Sequence, residues 1–99
     1  MFAVLYKFDV KPGFEAQFEE NWQKLTLEFR EIHGGLGSSL HKTDENRYMA
    51  YARWPNRDLW ELKKDIFNKA ALGQMQEALA SKTEATPLTT VKDLLLQES

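Results

Sequence analysis

Residues 2–22, FAVLYKFDVKPGFEAQFEENW, change their period once, at the KPG in the middle. Before it, Phe2, Val4, Tyr6, Phe8 and Val10 alternate with Ala3, Leu5, Lys7 and Asp9, which is the spacing of a strand. After it, apolar side chains recur at Phe14, Phe18, Trp22, Leu25, Phe29 and Ile32, in steps of 4, 4, 3, 4 and 3. That is one stripe of an amphipathic helix about five turns long. Glu15, Glu19 and Glu20 suit its positive N-terminal end, and Arg30 and His33 its negative C-terminal end.

The stretch EIHGGLGSSLHK, residues 31–42, ends this helix. Gly34 or Gly35 supplies the left-handed cap, where a residue without Cβ is favoured. SSLHKT then reads as a second strand, DEN at 44–46 as a hairpin loop, and RYMAYARW at 47–54 as a third strand. Pro55 stops the ladder, and Asn56 is a good N-cap for a helix over RDLWELKKDIF. In it Leu59, Leu62, Lys63 and Ile66 share a face, with Trp60 beside them. A break near Asn68 precedes a second helical piece carrying Leu72, Met75 and Leu79, and Pro87 opens a last strand over 88–95. Strand, helix, strand, strand, helix, strand predicts an α+β, ferredoxin-like split βαβ fold. Its four-stranded antiparallel sheet carries the helices on one face.

Helices cover only one face of such a sheet. Strands one and three carry apolar groups on both sides: Leu5 opposite the large set, and Met49, Tyr51 and Arg53 opposite Tyr48, Ala50, Ala52 and Trp54. An uncovered aromatic face is rare in monomers, so a second copy packed sheet to sheet is expected, giving a homodimer.

The glycines do not make a phosphate loop. Such a loop runs strand, glycines, helix N-terminus, whereas here helix precedes glycines and the order G-x-G-x-x-G is absent. His33 and His41 lie eight apart, without the spacing of a closed metal site. The 99 residues contain no cysteine, which excludes disulfides, zinc-thiolate and iron–sulfur sites and thiol nucleophiles. A net charge of −2 with interspersed signs argues against a nucleic-acid or anionic-lipid surface. No apolar run reaches membrane-spanning length, and MFAVLY lacks the basic flank of a signal peptide. A single domain over 1–99, cytoplasmic and with no membrane or nucleic-acid partner, is the expectation. Trp54 and Trp60 flank the Pro55 turn and, with Tyr51 and Arg53, gather aromatic surface and a cation. A core role is the plainer account of them. His41 sits mid-strand on an undecided face.

YKFDVKPGFEAQFEENW, GGLGSSLHK and YMAYARWPNRDLWE together resemble the antibiotic biosynthesis monooxygenase family, in order and over nearly the whole chain. The resemblance implies a dimeric α+β barrel. It also implies oxidation of a polycyclic phenol or quinol by O₂ without metal, flavin or other cofactor, the substrate supplying the electrons. The protein then has to deprotonate the ring, hold it flat and exclude water. On this reading the catalytic candidates are His41, Tyr51 and Arg53, with Arg53 stabilising the phenolate and His41 or Tyr51 relaying protons. Trp54 and Trp60 stack on a small aromatic molecule. A haem-degrading branch of the same fold uses an Asn, a Trp and a His. The matching positions here fall near Tyr6 or Lys7, Leu62 and Leu72, which argues against haem chemistry. A non-catalytic ligand-binding or stress-associated dimer, and an isomerase or decarboxylase on the same scaffold, remain open alternatives.

Overall fold

The computed structural model describes residues 1–95. Strand β1 spans Phe2–Asp9, helix α1 Glu15–Glu31, β2 Gly37–Asp44 and β3 Arg47–Trp54. Helices α2 (Arg57–Glu61) and α3 (Lys69–Ala78) follow, then β4 (Glu84–Thr89). The strands form one antiparallel sheet in the order β2-β3-β1-β4, the ferredoxin-like arrangement.

The turn between β1 and α1 follows from its residues. Pro12 fixes one backbone angle, Gly13 takes a φ of +88°, and the Phe14 N–H closes on the Lys11 carbonyl at 3.0 Å. Facing residues in the β1–β3 register, Phe2 with Trp54, Val4 with Ala52, Tyr6 with Ala50 and Phe8 with Tyr48, share the helix-covered side. Phe18 is fully buried, its ring 5.0 Å from Phe8 and 4.9 Å from Tyr48, and so pins α1 to the sheet. Truncating a side chain placed like this costs about 3–5 kcal/mol.

Two expectations are corrected. The helix after Pro55 ends at Glu61 instead of continuing to Phe67, and Leu62 is 62% exposed, so the proposed apolar face does not form. Asn56 does cap α2, accepting from the Leu59 N–H at 2.8 Å, and Asn68 caps α3 through the Ala71 N–H at 3.0 Å. The last strand begins at Glu84, ends at Thr89 and contains Pro87 instead of starting after it. Among the described residues β4 pairs with β1 alone, at the margin of the sheet, where a proline without N–H is tolerated. The opposite margin, β2, has a register shift between Lys42 and Asp44.

Candidate functional site

The inner face of β3 reads Tyr48, Ala50, Ala52, Trp54: large, small, small, large. The core accordingly divides into one cluster around Phe8, Phe18 and Tyr48 and another around Phe2, Val4 and Trp54, with Tyr6 touching both. Beside Ala52 a cavity of about 370 Å³ opens between sheet and helices. That lies within the range of small-molecule sites, about 300–1,000 Å³. Tyr6 of β1, Trp22 and Phe29 of α1, Trp54 of β3, Trp60 of α2 and Met75 of α3 give it an aromatic, apolar lining. The charged residues that line it are Arg30, Arg53 and Lys64, and among the described residues no carboxylate does so.

The glycine stretch forms part of this wall. Gly34 takes a φ of +85° after the last turn of α1, and the Gly35 N–H bonds to the Phe29 carbonyl at 3.0 Å. A Cβ on Gly35 would lie 3.3 Å from that carbonyl oxygen and 3.5 Å from the Trp54 ring, so the turn packs close against the tryptophan.

Trp60 Nε1–H donates to the Tyr6 hydroxyl at 2.9 Å. The hydroxyl is the acceptor there, which leaves its own proton for a ligand. Burial pushes the Tyr6 phenol above its ordinary range, and the Trp60 hydrogen bond pulls it partly back, so Tyr6 is neutral at physiological pH. Lys64 donates to the carbonyls of Leu59, Trp60 and Leu62 at 2.8, 2.8 and 2.7 Å. Its ammonium lies 4.6 Å from the centre of the Trp54 ring. Burial draws its pKa below the usual lysine range.

The segment that carries Lys64 is held by Glu28. This carboxylate accepts from the Phe67 N–H at 2.9 Å, the Asn68 N–H at 2.8 Å and His33 Nε2 at 2.8 Å. Its side chain and that of His33 are 7% and 10% exposed. Burial works against the charge, but the His33 and backbone hydrogen bonds outweigh it and hold the carboxyl below the usual glutamate range. His33 is therefore paired within the fold and does more than sit at the end of a helix.

The sequence candidates divide between the two faces of the sheet. Trp54 and Trp60 line the cavity. Tyr51 and His41 do not: the register pairs Tyr51 with Leu5 and Ser39, and His41 with Met49, all on the side away from the helices. His41 Nε2 lies 3.0 Å from Ser39 Oγ. Arg53 touches the cavity margin, but its guanidinium donates to Asp93 at 2.5 Å and lies 5.7 Å from the Tyr51 ring. Within one chain the five residues do not form a single constellation. Sequence reasoning missed Tyr6, Arg30 and Lys64 as cavity residues. The signal for Tyr6 was present, since it shares a strand face with Phe2 and Phe8 yet carries a hydroxyl.

The family model described as antibiotic biosynthesis monooxygenase matches residues 1–62. Among curated proteins nothing matches the chain. Solved structures are similar over nearly its full length. A Caulobacter crescentus protein provisionally assigned as an antibiotic biosynthesis monooxygenase is 25% identical, with a TM-score of 0.77 over 92% of this chain and 90% of that one. SnoaB, a cofactor-independent oxygenase from Streptomyces nogalater, is 18% identical, with a TM-score of 0.77 over 94% and 95%. Rv0793 from Mycobacterium tuberculosis is 14% identical, with a TM-score of 0.76 over 95% and 98%. At such identities the last two likenesses carry the fold alone.

Proposed function

Because the chain belongs to the antibiotic biosynthesis monooxygenase family, we propose that it is a cofactor-independent oxygenase whose cavity holds a flat phenol or quinol for oxidation by O₂. The observation that carries this reading is an aromatic cavity with no carboxylate among its described lining residues, into which a neutral tyrosine offers a proton. Trp54 and Trp60 contact the ring faces, and Tyr6 donates to a ring oxygen. A phenol and O₂ yield a quinone and water. One oxygen atom enters the ring as the new carbonyl, and the other leaves with the two hydrogens lost from the ring carbon and the hydroxyl. The substrate supplies all four electrons. What remains for the protein is orientation, exclusion of water and stabilisation of the ionised ring.

In this reading the chain acts as a homodimer. Leu5, Met49 and Tyr51 adjoin on the face that the helices leave bare, and Leu88 beside them is 37% exposed. A second copy covers that face, and His41, Tyr51 and Arg53 serve the sheet-to-sheet association. Oxygen uptake with a panel of naphthols and anthracenols tests the activity. One O₂ consumed per quinone formed, with ¹⁸O from ¹⁸O₂ in the new carbonyl, is the expected result. Binding of the same compounds without any O₂ uptake would leave a ligand-binding protein instead.

A further inference from the structure

Lys64 has an unusual set of partners. An ammonium has three protons, and all three are given to backbone carbonyls where α2 ends. Among the described residues no carboxylate lies within ion-pair distance of it, nor of Arg30 on the α1 side of the cavity. Arg53, the third cation at the wall, has its charge answered by Asp93. The remaining titratable group there is Tyr6, which is neutral. In a chain of net charge −2, the described lining of this apolar cavity thus carries two cations without a carboxylate partner, Lys64 and the solvent-exposed Arg30.

Cations lining an apolar space attract a ligand of opposite charge more strongly than they would in water. With its protons committed, Lys64 is poorly placed to act as a nucleophile or an acid, since either role would break bonds to the carbonyls. Its field is not consumed by those bonds. We propose that Lys64, with Arg30 as a second charge, is a fixed cation that selects an aromatic anion and holds the substrate of this cavity as its phenolate. This deepens the oxygenase reading and rests on it for the identity of the ring. It adds a reason for the reaction to start, because a phenolate gives up an electron to O₂ far more readily than a phenol. Lys64 is a specificity-determining residue here. It sits where Glu28 fixes the 62–68 segment over the cavity.

The test is binding under nitrogen, which separates it from turnover. 2-Hydroxy-1,4-naphthoquinone, an anion at neutral pH, is compared with the similarly shaped but neutral 2-methyl-1,4-naphthoquinone. 4-Nitrophenol, whose ionisation is visible, reports the pKa of a bound phenol. The wild-type protein is expected to favour the anion about tenfold or more and to lower the pKa of bound nitrophenol by about 1 unit or more, the effect of an opposite charge within a few ångströms. In Lys64→Met both effects fall to a third or less, and in Lys64→Arg they are largely restored. Equal affinities in the wild type, or an unchanged nitrophenol pKa on binding, would overturn the proposal without recourse to any variant. So would an anion preference that survives Lys64→Met in a folded protein, which would reduce Lys64 to a cap for α2. Should Lys64→Met not fold, Arg30→Gln must still halve the preference or more; an unchanged value there counts against the proposal.

Discussion

Replacing Glu28 by Gln removes one charge from the point where α1 holds the start of α3. The Glu28 carboxylate accepts three hydrogen bonds, two of them on Oε2, from His33 and Phe67, and one on Oε1, from Asn68. Glutamine keeps one acceptor oxygen and turns an NH₂ group toward at least one of these donors. A hydrogen bond to a charged group contributes about 1.5–3 kcal/mol net. One such bond is lost outright and the others become neutral, but Phe67 is 63% exposed, so water recovers part of the loss. The expected destabilisation is about 2–3 kcal/mol. For a domain of this size that lowers Tm by roughly 10–20 °C. Urea unfolding followed by fluorescence of Trp22, Trp54 and Trp60 measures it directly. The pH dependence gives a second reading. The folded carboxyl sits below its ordinary value, so its contribution is full above the unfolded glutamate range, near about 4.3, and is lost as pH falls through the lower folded value. The gap between wild type and Glu28→Gln should therefore close as the pH falls below about 4.3. A difference under about 0.5 kcal/mol at neutral pH, or one that persists undiminished well below about pH 4, would refute the account of this carboxylate.

Four further outcomes follow from single positions. Gly34→Ala puts a Cβ 2.8 Å from Leu59 Cδ2 at a φ of +85° and should cost about 1–3 kcal/mol by urea unfolding, whereas Gly73→Ala, in the open interior of α3, should gain about 0.5–1 kcal/mol. Trp60→Phe keeps a ring beside Phe2 but removes the donor to Tyr6, so the Tyr6 phenol should ionise at still higher pH, read as the difference between alkaline spectrophotometric titrations with and without Tyr6→Phe. Leu5→Glu, on the bare face of the sheet, should convert a sedimenting dimer to a folded monomer; a wild-type monomer at micromolar concentration would remove the association from the proposed function.

Local chemistry made much of the fold legible. The alternation from Phe2 to Val10, the stripe from Phe14 as far as Phe29, the caps at Gly34 and Asn56 and the break at Asn68 each follow from neighbours in sequence; the stripe's expected last member, Ile32, lies past the end of α1 and is 55% exposed. The failures occur where a distant group decides. Nothing local ends α2 at Glu61: Lys64 turns back onto the carbonyls there, and Glu28, nearly forty residues earlier, captures the Phe67 and Asn68 N–H groups. From sequence alone Pro87 opens the last strand, but at a margin its missing donor disrupts no pairing and β4 runs through it. The cavity was half legible. Trp54 and Trp60 stand out by type, whereas Lys64 acquires a role only once the chain between α2 and α3 folds over the sheet. His41 and Tyr51 were attractive by chemistry alone, and strand alternation carries them to the other side.

The two margins of the sheet have a consequence for how copies of this chain meet. On β4, Pro87 offers no backbone donor, and on β2 the shifted register between Lys42 and Asp44 interrupts an even row of hydrogen-bonding groups. A strand from a neighbouring molecule therefore finds no clean template on either flank, and continuous growth into a cross-β fibre is discouraged. Open-ended growth along the sheet is thereby blocked, and concentrated solutions of the folded protein should remain free of thioflavin-positive material.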